Sequence, residues 1–250
     1  MKKKTVYEKI CEKAKKKKRS YWVLLDPDDF SIKKAGNIAS EAAKSGVDAF
    51  LIGGSLLHTN NLDKFILNLK KNTRIPVILF PGDATQLSGH ADALLYLVLI
   101  SGRNPANLIG EHVKAAPVIK KMDIEPISTG YMLVESGIVS SVEFMSNTRP
   151  LPRKKPMIAA AHALAAQYMG MKMIYLEAGS GAELSVPPEM ISMVRKYADT
   201  VLIVGGGIRD AATAEEKLSA GADIIVTGNL LRRRDGVQRM KEIAEAVKKF

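Results

Sequence analysis

Three glycine-rich segments near the C-terminal end of the chain hold the residues best suited to bind a ligand. They are residues 175–181, 204–208 and 227–231, and each directly follows an apolar, largely β-branched run. Such a run is typical of a buried parallel strand, so each segment is predicted to begin where a strand ends. Glycine at these points lets backbone N–H groups approach a ligand closely and permits positive φ. Three such ends in succession predict one anion cradle, as found after the last strands of a (β/α)8 barrel, for a small phosphorylated ligand.

Tyr175 and Glu177 are the candidate catalytic residues beside this cradle. Residues two apart on a strand face the same side, so both are predicted to point into the mouth of a barrel. A carboxylate beside a bound phosphate can hold or deprotonate a substrate hydroxyl. The structural alternative is a glutamate paired with Lys or Arg inside the barrel.

A metal site is predicted at the ends of the first two strands. Asp26 ends the first strand, and Ser55 follows the glycines at the end of the second. A carboxylate at a rim built for phosphates repels the ligand unless a cation intervenes, and Mg²⁺ commonly combines one or two protein carboxylates with phosphate oxygens and water. The alternative is a turn or helix N-cap, which suits Asp28 and Asp29 better than Asp26 and is also open to Ser55.

Strand-like and helix-like stretches alternate along the chain, which predicts a parallel sheet with helical crossovers. Predicted strands lie at 21–26, 49–53, 76–80, 93–100, 125–133, 173–178, 201–205 and 223–227. Predicted helices lie at 4–18, 33–45, 61–71, 105–120, 156–170, 187–197, 210–219 and 236–249. With eight strands in 250 residues, a single (β/α)8 barrel domain over 1–250 is favoured over an open doubly wound sheet.

Two stretches break the regular pattern. The third connection, residues 82–92, has about eleven residues, is bounded by glycine and is a poor helix. A parallel crossover usually needs a dozen residues with a helix inside, so one flank of the barrel is predicted to be under-covered. Its exposed apolar surface would meet a ligand or another subunit, unless the connection is a compact loop without function. The helix at 156–170 is apolar almost all round, so it is either sandwiched in the monomer or a contact between subunits of a homo-oligomer.

Positive charge is concentrated at the N-terminus. The net charge is +11, and residues 1–19 hold ten Lys and Arg against Glu8 and Glu12. This Lys-rich helix is open to three interpretations: a solvated face, peripheral attraction to a membrane surface, or nucleic-acid binding. The absence of an aromatic stacking motif or a helix-turn-helix pattern argues against nucleic acid. Cys11 is the single cysteine, and no signal peptide or span of ~20 apolar residues is present, which predicts a cytoplasmic protein.

Taken in order, these segments resemble the geranylgeranylglyceryl phosphate synthase family, which also contains the heptaprenylglyceryl phosphate synthases. The likeness covers nearly the whole chain, and the Lys-rich N-terminus is its least family-like portion. It is carried by residues 25–28, 51–55, 80–82, 146–156, 175–181, 205–208 and 227–229.

The resemblance implies a modified barrel without its third helix and an Mg²⁺-dependent prenyltransferase. It implies transfer of a geranylgeranyl group from geranylgeranyl diphosphate to the 3-hydroxyl of sn-glycerol 1-phosphate, the first ether bond of archaeal membrane phospholipids. By the same resemblance, Asp26 and Ser55 hold Mg²⁺ on the diphosphate, and the protein forms dimers or hexamers. Glycerol phosphate would be bound by Tyr175, Leu176, Glu177, Ala178, Gly179, Ser180, Gly181, Gly205, Gly206, Gly207, Gly228 and Asn229.

The prenyl tail needs a long apolar groove. Candidates beside the short third connection are Leu94, Leu95, Leu97, Val98 and Leu99, with Tyr96 as a limit on chain length. Two alternatives stay open: another prenyl length, or a sugar-phosphate isomerase or lyase on a phosphate-binding barrel.

Overall fold

Eight parallel strands close into a barrel in a computed structural model that describes residues 4–250. Each strand pairs with its neighbours in chain order, and the last pairs with the first. The predicted barrel is therefore confirmed. The strands are β1 (Ser20–Leu25), β2 (Ala49–Ile52), β3 (Val77–Leu79), β4 (Ala93–Leu99), β5 (Glu125–Leu133), β6 (Met173–Glu177), β7 (Val201–Gly205) and β8 (Ile224–Thr227).

Side-chain alternation along the strands produces two apolar layers. Trp22, Leu51 and Ile203 belong to the layer inside the barrel. Val23, Phe50 and Val204, their neighbours in sequence, belong to the layer between strands and helices. Strands β1, β2 and β7 are thus covered on both faces, as a parallel sheet requires.

Nine α-helices are present in residues 4–250, and their bounds lie close to those predicted. They are α1 (Val6–Lys15), α2 (Ile32–Ser45), α3 (Leu62–Asn72), α4 (Glu111–Met122), α5 (Ser141–Ser146), α6 (Pro156–Tyr168), α7 (Pro188–Tyr197), α8 (Ala211–Ser219) and α9 (Gly236–Lys248). The sequence interpretation missed α5, although Ser140 caps it by accepting a hydrogen bond from the Glu143 amide (3.3 Å). Serine followed three residues later by glutamate is a recognised start signal for a helix.

The connection between β3 and β4 contains no helix, as predicted. Buried Gln86 holds it in place, because its side-chain oxygen accepts from the Gly82 amide (3.1 Å) and its side-chain nitrogen donates to the Gly54 carbonyl (3.0 Å). The Ala84 amide also donates to the Glu111 carboxylate at the start of α4 (3.0 Å). The loop is therefore braced, and it covers the barrel flank less than a helix would.

Helix α1 closes the floor of the barrel, at the amino ends of the strands. Its apolar side, which includes Tyr7, Ile10 and Ala14, packs against the cluster inside the barrel. Glu125 at the start of β5 accepts hydrogen bonds from the Val6 and Tyr7 amides (2.7 and 3.2 Å), which satisfies donors that a helix N-terminus leaves free. The floor is closed, so a ligand enters from the opposite end.

Candidate functional site

A cavity of about 820 Å³ opens at the carboxyl ends of the strands. Loops after seven of the strands contribute to its wall, together with α5. This is the end of the barrel at which active sites of the fold lie. Nine of the residues predicted to bind glycerol phosphate line it: Tyr175, Glu177, Gly179, Ser180, Gly181, Gly206, Gly207, Gly228 and Asn229.

Three other predicted residues do not line the cavity, two because of strand alternation and one because it has no side chain to reach it. Leu176 and Ala178 lie in the layer between strands and helices, on the opposite face from Tyr175 and Glu177. Gly205 ends β7 beside the cavity, where a Cβ atom would lie 2.5 Å from the Tyr175 hydroxyl oxygen. Gly205 therefore makes room for Tyr175.

The anion cradle depends on close backbone approach at Gly206. Its φ is 80°, and a Cβ atom there would lie 2.4 Å from Glu177 Oε1 and 2.7 Å from the Ala178 nitrogen. Within residues 4–250, the Gly206 and Gly207 amides donate no hydrogen bond to another residue. Free amides at positive-φ glycines form an anion-binding concavity.

The loop after β6 is tied to the loop after β8 at the same place. The Ser180 hydroxyl donates to the Asn229 side-chain oxygen (3.0 Å). Gly181, with φ of 80°, lies directly beside that asparagine. The three glycine-rich segments thus converge on one side of the cavity, as the sequence predicts.

Glu177 is a buried carboxyl at the edge of the anion cradle. Burial raises its pKa, while the nearby Tyr175 hydroxyl and the Gly179 amide, which donates to Oε1 (2.6 Å), lower it. No Lys or Arg forms an ion pair with it in the described part of the chain, so the predicted structural alternative is not what the geometry shows. A carboxylate with a raised pKa is a stronger base near neutral pH.

The Tyr175 hydroxyl is completely buried and makes no hydrogen bond of normal geometry within residues 4–250. Burial and the neighbouring Glu177 charge raise its pKa well above 10. Buried polar atoms are nearly always satisfied in native proteins. Tyr175 lines the cavity wall, and its hydroxyl lies beside the Glu177 carboxylate, whose pKa it lowers.

Asp26 and Ser55 line the same cavity on the side of β1 and β2. The Asp26 carboxyl lies against Gly54, since a Cβ atom at position 54 would lie 2.3 Å from Oδ2. Burial raises the Asp26 pKa, the Asp28 amide lowers it, and the charges of Asp29 and Asp28 raise it further. No group of three or more metal-binding side chains occurs in the described chain, so two hard oxygen donors suit a cation only when a ligand supplies the rest.

Asp28 and Asp29 have structural partners, as their turn interpretation suggests. Asp28 accepts hydrogen bonds from the His58 and Thr59 amides (2.7 and 3.0 Å) and so ties the first loop to the second. Asp29 forms an ion pair with Arg232.

The sequence interpretation missed the basic groups of the cavity. Arg209, Arg232 and Arg233 line it from the loops after β7 and β8. The Arg209 guanidinium donates to the Ala182 carbonyl (2.7 Å) and is thereby held beside the cradle. The basic residues at 149 and 153–155 do not line the cavity. The available signal for Arg209 was an arginine two positions after the triple glycine at 205–207, in the same predicted loop.

An apolar groove of about 330 Å³ continues from the cavity along the flank that lacks a helix. Phe80, Tyr131 and Val142 line both spaces and mark the junction. Of the predicted tail-contacting residues, Leu94, Leu95, Tyr96, Leu97 and Leu99 line the groove, and Val98 does not. Tyr96 is held by a hydrogen bond from its hydroxyl to the His112 carbonyl (2.7 Å), and Ala115 and Ile119 of α4 form the facing wall.

Comparison with known proteins agrees with this geometry. The model of the PcrB family matches residues 12–247. A geranylgeranylglyceryl phosphate synthase of Chitinophaga pinensis is 44% identical over 97% of this chain and 95% of its own length. One of Thermococcus gammatolerans is also 44% identical, over 95% of this chain and 94% of its own. The crystal structure of (S)-3-O-geranylgeranylglyceryl phosphate synthase from Thermoplasma acidophilum, in complex with sn-glycerol-1-phosphate, superposes with a TM-score of 0.94 at 33% identity, over 99% of this chain and 100% of that one.

Proposed function

The chain belongs to the PcrB family, and we propose that it is a geranylgeranylglyceryl phosphate synthase. It is a prenyltransferase that joins the geranylgeranyl group of geranylgeranyl diphosphate to the 3-hydroxyl of sn-glycerol 1-phosphate. The observation that carries the proposal is the continuity of a glycine-rich anion cradle with a long apolar groove. A sugar-phosphate isomerase or lyase needs the cradle and has no use for the groove.

The cradle and the two catalytic candidates position glycerol phosphate. The Gly206 and Gly207 amides bind the phosphate, and Ser180 and Asn229 hold the loops around it. Glu177 accepts the proton of the 3-hydroxyl as the ether bond forms, and its buried position keeps it basic enough to do so. The Tyr175 hydroxyl donates a hydrogen bond to the bound alcohol or phosphate.

The diphosphate occupies the opposite side of the cavity. Its allylic tail enters the groove past Phe80 and Tyr131, so the reacting carbon lies between the two anion sites. Arg232 and Arg233 balance part of the negative charge that develops on the leaving diphosphate.

Asp26 and Ser55 would hold Mg²⁺ together with the diphosphate oxygens. One carboxylate and one hydroxyl are a fitting donor set for this ion, which usually keeps waters and phosphate oxygens as its other ligands. When bound, Mg²⁺ stabilises the charge of the departing diphosphate.

The test is prenyl transfer measured with geranylgeranyl diphosphate and each enantiomer of glycerol phosphate, with products identified by mass. We expect ether formation with sn-glycerol 1-phosphate, loss of activity with EDTA and recovery with Mg²⁺. An Asp26→Ala variant that is folded should be inactive. Isomerisation or cleavage of sugar phosphates without prenyl transfer would refute the assignment, and full activity in EDTA would refute the metal site alone.

Prenyl length, assembly and location complete the proposal. A C20 tail is proposed because the relatives are geranylgeranylglyceryl phosphate synthases, with longer tails as the alternative that the same assay tests. The protein is proposed to assemble as a homo-oligomer through the outer face of α6, where Met157, Tyr168 and Met169 are exposed. No described helix is long and apolar enough to cross a membrane, and we propose that the enzyme acts in the cytoplasm, where Cys11 stays reduced.

A further inference from the structure

We propose that the floor of the barrel docks the protein on an anionic lipid bilayer. The docking surface is the lysine face, defined as Lys9, Lys15, Lys16, Lys17 and Lys18 of α1 and the turn after it. All five side chains are exposed. Lys2 and Lys3, which the sequence interpretation included, lie outside the described residues.

The charges of the lysine face are not used within the protein. Lys4, Lys13 and Arg19, the other cations of this segment, form ion pairs with Glu12, Asp48 and Asp223. The five members of the lysine face form none within residues 4–250. Glu12 lies near Lys15 and Lys16 and takes Lys4 as its hydrogen-bonded partner. The uncompensated charge is therefore displayed to solvent, where it can attract an anionic surface.

Helix α1 is rigidly mounted, so the lysines form a fixed array. Its apolar side is used up against the barrel interior, and its N-terminus is tied to Glu125. At its C-terminus, the backbone amide of Lys17 donates to the Ala14 carbonyl (2.8 Å) and the backbone amide of Lys18 donates to the Lys13 carbonyl (3.1 Å). Because no apolar face remains to insert, contact with a bilayer is electrostatic and sits at the headgroup surface.

A bilayer fits this surface better than nucleic acid does, because of what lies beside it. Lys71, Arg74, Lys120 and Lys121 are exposed at the floor end of α3 and α4, next to the under-covered flank. Ile119, which lines the apolar groove, directly precedes Lys120, and Leu94 lines the groove near the start of β4. The lower end of the groove therefore approaches the surface that would face the lipid. Tyr7 is the aromatic residue of α1, and it packs against the cluster inside the barrel, so α1 offers no aromatic side chain on which bases could stack.

Co-sedimentation with vesicles tests the proposal without any turnover, so its failure would leave the proposed function untouched. The probes are vesicles of phosphatidylcholine with and without phosphatidylglycerol. We expect binding only to the anionic vesicles and its loss at high salt. Replacing Lys15, Lys16, Lys17 and Lys18 by Gln should weaken binding on the order of 1,000-fold, given the usual contribution of each lysine near an anionic membrane.

The matched control changes four exposed lysines near the other end of the barrel, Lys33, Lys64, Lys154 and Lys155, to Gln. It removes the same charge and should bind vesicles nearly as well as the parent protein. Equal losses in both variants, or equal binding to neutral vesicles, would overturn the proposal. So would tighter binding to duplex DNA than to anionic vesicles at the same salt. Thermal unfolding checks that both variants are folded, and the milder pair Lys15→Gln with Lys16→Gln repeats the comparison if the larger variant is unstable.

Discussion

At the scale of single residues, Glu177 is the catalytic candidate whose role can be tested most directly. Replacing it by Gln keeps an oxygen that can accept from the Gly179 amide and removes the base. We expect turnover to fall on the order of 100-fold, the low end for loss of a general base, while KM for glycerol phosphate changes little. Steady-state kinetics with each substrate varied checks this. A large rise in KM at unchanged kcat would assign Glu177 to binding instead.

The same substitution has a signature in stability. Burial raises the pKa of Glu177 above its value in the unfolded chain. The free energy of unfolding therefore falls as pH rises from the unfolded-state pKa through the folded-state pKa, because the fold must then hold an ionised carboxylate in a buried site. Below the unfolded-state pKa the cost is absent. Glu177→Gln should therefore raise Tm at neutral pH, with the gain vanishing in acid. Melting curves across pH for both proteins decide the sign, and a lower Tm at neutral pH would contradict the raised pKa.

At the scale of elements, the groove between β4 and α4 should select prenyl length. Ala115 is buried and lines the groove, so Ala115→Phe places a ring where the tail runs. We expect turnover with long prenyl diphosphates to fall about 10-fold or more relative to short ones, comparable to other losses of fit in apolar pockets. Competition between chain lengths measures the ratio.

Ala116 supplies the control, since it is the next residue of α4 and is exposed. Ala116→Phe should leave the length preference unchanged. A shift of equal size in both variants would mean that α4 was disturbed and the groove was not narrowed.

The helices and strands differed in how well they could be predicted from the sequence. The strand ends at Glu177 and Gly205 were predictable because apolar runs stop there at glycine-rich turns. The lack of a helix between β3 and β4 was predictable because that connection has only about eleven residues. Helix α5 was not predicted because it is only six residues long and one helical turn has little apolar periodicity. The orphaned Tyr175 hydroxyl and the raised pKa of Glu177 depend on packing between strands far apart in sequence, which no local pattern reports.

At the scale of the whole molecule, the apolar outer face of α6 predicts assembly. Tyr168 is 78% exposed and Met169 72% exposed, which is unfavourable unless another subunit covers them. Sedimentation velocity should find an oligomer for the parent protein and a smaller species for Tyr168→Lys. Tyr197→Lys, at a half-exposed position on α7, is the control that should not dissociate. A monomeric parent protein would contradict the proposed interface.

Because the floor is closed, the two ends of the barrel differ, and this difference can be used to orient the protein on a solid support. Residue 4 lies at the floor, and the cavity opens at the far end of the barrel. A tether joined to the start of the chain would hold the enzyme upright on a solid support, with its mouth turned to the solution. A chain that began at β1 would lack α1, and water would reach the core side chains around Trp22 through the open floor of the barrel.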